Sequence, residues 1–247
     1  FGTDPSDISV SFNGTPAEFE LVDESTIVAT TPADYQTGSV TVTIHGYTMT
    51  GGAMFNPNSK GDVTVLYLQN YKQPFAKAND ENWKNGEWWT PAVWNQNAAS
   101  FNAKGNTTVS GMQYKSEEGL TLAFQNGWDK EAYTNGKMWQ VATLRPGKYR
   151  LEVTYAYTLV VTDAGNFISV LIAKGDSESD IPNVADLEQL NGVYVAYDKM
   201  GTANDSGTLV TPSFEVTETT DVVIGFLTSL AKGNSYFKVT ELKLILE

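Results

Sequence analysis

Met138-Trp139-Gln140-Val141-Ala142-Thr143-Leu144-Arg145-Pro146-Gly147-Lys148-Tyr149-Arg150-Leu151-Glu152-Val153 is the stretch on which the fold turns. Trp139 stands in an alternating run and the Pro-Gly pair supplies a turn. From Tyr149 to Tyr157 the side chains alternate again, with Tyr149, Leu151, Val153 and Tyr155 on one face. A period of two reads as strand, turn and strand. The same pattern recurs outward from here, at Ile8–Phe12, Thr26–Thr30, Ser39–Ile44, Val63–Leu68, Leu120–Gln125, Phe167–Ala173, Thr208–Val216, Val222–Thr228 and Tyr236–Leu246. Asn-Gly, Asp-Ala-Gly and Lys-Gly-Asn turn signals separate these runs. Asn183–Leu190 could form a short helix over a loop, and Asn95–Phe101 at most a turn of helix. Many short strands that must each bury one face predict an all-β protein, sheet packed on sheet.

The segment from Thr50 to Gly61 is turn-rich and lacks periodicity, as linkers do. It divides the sequence into a small strand-rich unit at 1–50, a linker at 51–61 and a larger unit at 62–247.

Composition narrows the function classes. The 247 residues, 41% of them hydrophobic, suffice for a large core. Sixteen basic residues against 29 acidic ones leave a formal charge of -13, which repels phosphate backbones and makes nucleic acid an unsuitable partner. The absence of cysteine excludes disulfides, thiolate metal sites and a cysteine nucleophile. One histidine, His45, excludes a His-rich metal cage, and its place beside Gly46 in a closing strand reads as a strand-edge role. No phosphate loop, dinucleotide-binding glycine motif or nucleophile elbow occurs. Asp176-Ser177-Glu178-Ser179-Asp180 alternates oxygen ligands like the start of a calcium loop. Ile181 and Leu187 then stand where an EF-hand needs Gly and Glu. No cofactor is expected, although a structural calcium held by backbone carbonyls would leave no readable pattern.

Four of the six tryptophans, Trp83, Trp88, Trp89 and Trp94, fall within twelve residues. Tryptophan is costly to leave wet, so this cluster is either a core plugged by a long loop or an aromatic platform for a flat apolar ligand such as a pyranose face. Trp94 and Trp139 read as core. Trp88 and Trp89 are neighbours on extended backbone and point oppositely, so one is expected buried and one exposed.

Two resemblances extend this reading. Residues 1–50 resemble the immunoglobulin-like domain shared by plexins and some transcription factors. Phe1-Gly2-Thr3, Val10-Ser11-Phe12-Asn13-Gly14, Ile27, Pro32 and the run from Gly38 to Gly46 follow its order, without the two strands that open that family. Residues 127–153, with Leu144-Arg145-Pro146-Gly147-Lys148-Tyr149 closing a strand, resemble carbohydrate-binding modules with a galactose-binding-like jelly roll. Val222–Phe226 and Tyr236–Ile245 fit its last strand pair. With the Trp89–Trp94 passage, the whole looks like an uncharacterised family of surface lipoproteins from the glycan-utilisation loci of Bacteroidetes-type gut bacteria.

The resemblance implies a partial immunoglobulin-like sandwich followed by a jelly-roll β-sandwich. It also implies a non-catalytic, carbohydrate-binding protein on the extracellular face of the outer membrane, held there by a lipid anchor outside this chain. Polysaccharides or oligosaccharides would be its ligands and outer-membrane glycan transporter components its partners. Sugar binding needs aromatic faces and planar polar groups at the hydroxyl edges. The candidate binding residues are Trp83, Trp88, Trp89, Asn126, Trp128, Asp129, Tyr133 and Asn135, with Trp88 and Trp128 presenting rings at the loop end of the sandwich. Asp80, Asn82, Asn85 and Glu87 are further edge groups. Two rival readings stand: a protein-interaction module with the Trp segment as hot spot, and a glycoside hydrolase, for which no carboxylate pair is marked out by the sequence.

Overall fold

The computed structural model describes residues 4–54, 56, 60–79, 87–101, 110–126, 132–160, 165–201, 205–231 and 235–247. Two compact units emerge, Phe1–Leu66 with Leu246, and Tyr67–Ile245 with Glu247.

The first unit is immunoglobulin-like. Strands β1 (Ile8–Phe12), β2 (Thr15–Ala17), β5 (Gly38–Ile44) and β6 (Tyr47–Met54) form an antiparallel sheet in the order β2-β1-β5-β6, and β3 (Phe19–Asp23) pairs with β4 (Thr26–Ala29). Alternation in β1 buries Ile8, Val10 and Phe12, and the Phe12 ring meets Tyr35 edge-on at 5.7 Å. His45 takes a positive φ of 48° in the turn between β5 and β6, and its Nδ1 lies 3.0 Å from Asp7 on the surface. Strand β6 continues to Met54, into the segment read from sequence as linker. Ladder bonds to β5 need only backbone, and Gly51-Gly52 leave no side-chain pattern to read. β7 (Gly61–Asp62) is a two-residue strand. Val63–Leu68, expected as a strand, instead makes the helical turn α1 (Thr64–Tyr67), because Asp62 Oδ1 accepts from the Thr64 amide and hydroxyl and caps it. A short, largely apolar run does not distinguish the two states.

The second unit is a jelly-roll β-sandwich. Its front sheet carries β16 (Gly207–Val210), β13 (Gly147–Tyr155), β19 (Ser235–Leu246), β11 (Gly119–Asn126), β10 (Ser110–Lys115) and β8 (Trp88–Trp89) in that order, with β17 (Phe214–Val216) also on β13. The back sheet carries β15 (Val195–Lys199), β14 (Phe167–Lys174), β18 (Thr220–Leu230), β12 (Tyr133–Leu144) and β9 (Asn95–Gln96). The expected strand Thr208–Val216 is broken into β16 and β17. Pro212 lies in the break, and the Thr211 hydroxyl accepts the Leu151 amide at 2.9 Å in place of a ladder carbonyl.

Inward positions of the two sheets make the core. Phe124 and Phe226 meet across it at 4.9 Å, with Phe237 against both rings and Trp94 against Phe226. Every residue from Val222 to Leu230 is buried, so β18 is covered on both faces. A second apolar cluster lies on the outer side of the back sheet: Trp139, Leu171, Ala173, Val195, Val223 and Leu227 pack with Ile181 and Leu187. α2 (Leu187–Leu190), in the segment expected to form a short helix, supplies Leu187. Trp94 and Trp139, at 5% and 8% exposure, are core residues as the sequence suggested.

Candidate functional site

The outer side of the front sheet is where polar and aromatic side chains gather. Period-two alternation that sends Leu122, Phe124, Phe237 and Val239 inward sends Gln125, Tyr236 and Lys238 outward. The register sets Gln113 opposite both Trp88 and Thr121, Ala123 opposite Lys238, and Gln125 opposite Tyr236. Trp88, Gln113, Gln125, Tyr236 and Lys238, with Glu87, Lys115, Glu118 and Tyr157, line an open cleft of about 560 Å³.

Each acid in the cleft is tied to a base. Lys115 Nζ lies 2.7 Å from Glu87 Oε2, with both side chains about two-fifths exposed, and the buried Lys238 ammonium donates to Glu118 Oε2. Lys238 also stands 5.4 Å from the Tyr236 ring centre. Backbone pairing of Leu159 with Tyr236, and of the Ala156 amide with the Lys238 carbonyl, carries the chain after β13 along the cleft. Tyr157 sits there with φ +50° and its ring 46% exposed, its hydroxyl donating to the Glu117 carbonyl. A left-handed backbone at a bulky residue is strained, and it turns this ring out at the rim of the cleft.

Two side-chain atoms on cross-strand neighbours of this sheet, Gln113 Oε1 and Thr121 Oγ1, are buried without a hydrogen-bond partner among the described residues. Gln113 is 3% exposed and Thr121 fully buried.

A second concavity, of about 410 Å³, lies beside the loop over the back sheet, lined by Lys137, Asp180, Asn183, Asp186 and Tyr194 among others. Its polar groups are mutually engaged. Lys137 Nζ donates to the carbonyls of Ile181 (2.6 Å) and Glu178 (3.3 Å). Burial pulls the Lys137 ammonium below its ordinary range, opposed by Glu178. Asp180 Oδ2 accepts from the Ser177 hydroxyl and the amides of Ser177 and Asp176, which, with the Ser177 hydroxyl bond leading, hold its carboxyl below the usual range. The oxygen-rich run Asp176–Asp180 thus closes a turn on itself. Among the described residues no group of three or more His, Cys, Asp or Glu side chains converges for a metal ion.

The candidates read from sequence divide three ways. Trp83, Trp128 and Asp129, with Asp80, Asn82 and Asn85, lie outside the described residues. Trp88 and Glu87 line the cleft, but Trp88 is 1% exposed, so the expectation of a presented ring is corrected: cross-strand pairing with Gln113 lays it into the sheet surface. Trp89 points the other way, opposite Met112, half-buried with Lys77 Nζ 4.9 Å from its ring centre.

The remaining three are corrected as well, since their polar groups serve the fold rather than the cleft. Asn126 is buried and donates to the Leu230 carbonyl. Tyr133 is buried with its hydroxyl on Thr228, and its ring covers Gly136 at the irregular start of β12. Asn135, at φ +54°, accepts the Val184 amide on its side chain and the Asn97 amide group on its carbonyl. An irregular strand end leaves backbone groups unpaired, and short polar side chains there satisfy them.

Gln113, Lys115, Gln125, Tyr157, Tyr236 and Lys238 were missed. Gln125, Tyr236 and Lys238 stand in the outward phase of strands recognised by their apolar phase, whereas Gln113 and Lys115 lie in β10, which the sequence reading did not pick out, and Tyr157 lies beyond the end of β13.

Fold and cleft together define a two-module all-β protein, an immunoglobulin-like unit followed by a jelly roll with an open polar–aromatic cleft on one sheet. The chain belongs to the DUF5013 family, described as a domain of unknown function, whose model matches residues 69–225. The IPT/TIG domain model matches residues 1–59. No curated protein matches the chain. Similar solved structures include the Stig cyclase Fisc from Fischerella sp. TAU, 13% identical over 76% of this chain and 98% of that one, with a TM-score of 0.43. TmCBM61 in complex with beta-1,4-galactotriose is 12% identical over 73% and 98%, at 0.33. The K3 cleaved adhesin domain of Lys-gingipain from Porphyromonas gingivalis is 10% identical over 72% and 97%, at 0.38. At TM-scores this low the likenesses carry no argument about what this chain does.

Proposed function

We propose that this protein binds carbohydrate without turning it over, and that the ligand lies in the cleft on the outer side of the front sheet. The observation that carries this reading is the lining of the cleft, where the side chains of Gln113 and Gln125 stand beside the Tyr157 and Tyr236 rings. Sugars bring both requirements of the cleft together: hydroxyl edges for Gln113 and Gln125, and a C–H face for the Tyr157 and Tyr236 rings.

Absence of turnover is part of the proposal. A glycosidase needs a carboxylic acid that delivers a proton to the scissile bond and a second carboxylate facing it. Glu87 and Glu118 share the cleft, yet each already accepts from a lysine ammonium, a group that donates and never accepts. The surface-lipoprotein setting, the outer-membrane location and the transporter partners belong to the same proposal and are supported by the family resemblance alone.

The test is affinity electrophoresis against a panel of plant and host polysaccharides, sensitive to millimolar dissociation constants worth about 4 kcal/mol. Retention by at least one polysaccharide is expected, lost in Gln113→Ala and Tyr157→Ala, with no sugar released on long incubation. Retention untouched by both substitutions would move the site elsewhere. Release of product abolished by Glu87→Gln or Glu118→Gln would make the protein a hydrolase.

A further inference from the structure

Among the described residues the cleft's charges are balanced and already spent on each other: two carboxylates, Glu87 and Glu118, and two ammonium groups, Lys115 and Lys238, are joined in two ion pairs. A uronate or sulfate on a ligand could gain a lysine only by displacing a glutamate. At Lys238 and Glu118 the side chains are 6% and 19% exposed, so the displaced carboxylate would stand half-desolvated without its counter-charge. It would do so on a chain whose formal charge is already -13. Among the described residues, the lining groups not consumed in ion pairs are neutral: the amides of Gln113 and Gln125, the rings of Tyr157 and Tyr236, and the buried Trp88.

Resting on the glycan-binding reading above, we infer that the cleft selects uncharged glycans and rejects polymers bearing uronate or sulfate. The ion pairs do this by occupying both cations while leaving neutral donors and acceptors for hydroxyl groups. Lys115 and Glu87 form the more exposed gate, and Lys238 and Glu118 fix the floor.

The experiment uses polysaccharide pairs that differ only in charge: polygalacturonate and glucuronoxylan, each against its carboxyl-reduced form, and carboxymethyl- against hydroxyethyl-cellulose. Wherever a pair is retained, the neutral member should bind at least about tenfold tighter. Glu87→Gln, which frees the Lys115 ammonium at a solvent-facing position and spares the fold, should narrow that gap severalfold through tighter, salt-sensitive binding of the acidic member. Equal or tighter binding of acidic members by the unmodified protein overturns the inference alone, provided Gln113→Ala still abolishes it. An unchanged gap in Glu87→Gln overturns the ion pairs as its cause. No retention of any neutral or acidic polymer overturns the glycan-binding reading itself.

Discussion

At the scale of single residues, two substitutions separate binding surface from scaffold. Gln113 lines the cleft, and its amide oxygen is buried without a partner among the described residues, which is a cost to the fold. Gln113→Met, close in volume and without the amide, should abolish glycan retention while leaving stability unchanged or raising it by up to about 2 kcal/mol. Thermal unfolding of the free protein beside affinity electrophoresis decides it, and a large drop in melting temperature would mean that the amide is structural. Trp88 is the contrary case. At 1% exposure its truncation opens a cavity, so Trp88→Ala should cost about 3–5 kcal/mol. Chemical denaturation showing less than about 1 kcal/mol lost would return Trp88 to the exposed platform that the sequence suggested.

Elements are held by close backbone approach and by side chains standing in for ladder bonds. Gly225 of β18 lies opposite Trp139 of β12, where a Cβ would fall inside the van der Waals contact of the Met138 carbonyl oxygen and 2.7 Å from the Trp139 Cα. Neither obstacle is a movable side chain. Gly225→Ala should therefore lose about 3 kcal/mol or more, read as insolubility or as a fall in the denaturation midpoint. The loop over the back sheet depends on Lys137, whose ammonium satisfies two loop carbonyls. Lys137→Met should leave both carbonyls without that donor and cost about 1–3 kcal/mol. Hydrogen exchange is the sharper readout: amides of Ser177–Val184 should lose protection first, with the front sheet unaffected. These devices were unreadable in sequence, since a lysine in an alternating strand is normally a solvated one.

The whole molecule should respond to alkali through its buried phenols. Burial raises Tyr133 well above the ordinary phenol value of 10.0, against the opposing Thr228 hydrogen bond. Tyr149 is raised as well, by burial and then by its neighbour Tyr67. A raised folded value means the unfolded chain ionises first. Their stabilisation is complete below pH 10 and is lost as pH climbs towards the folded values, by about 1.4 kcal/mol per pH unit for each group. Lys137 acts with the opposite sign. Its lowered folded value makes the unfolded chain bind the proton more tightly, so stability rises with pH until 10.5, where both states become neutral. Two phenols outweigh one lysine above pH 10, and denaturation midpoints should fall steeply between pH 10 and 12. Tyr149→Phe should flatten that fall by about half, and a flat profile in the unmodified protein would show that these hydroxyls reach solvent.

The sequence by itself determined what repeats along the chain and what is summed over it. Period-two alternation and turn residues gave the all-β class, because strand geometry fixes which side chains share a face. Apolar runs marked the inward face from Tyr149 to Tyr155 and at Phe237 and Val239. Tertiary structure alone decided which outward faces meet. Gln113, Lys238 and Tyr157 are 44 to 125 positions apart, and only the register of β8, β10, β11 and β19 sets them around one cleft. It also decided that Thr211 stands in for a ladder carbonyl to Leu151, that Trp88 is buried and that Tyr157 is turned out. Each depends on a partner distant in the chain or on a backbone angle, and neither is carried by the local pattern of residue types.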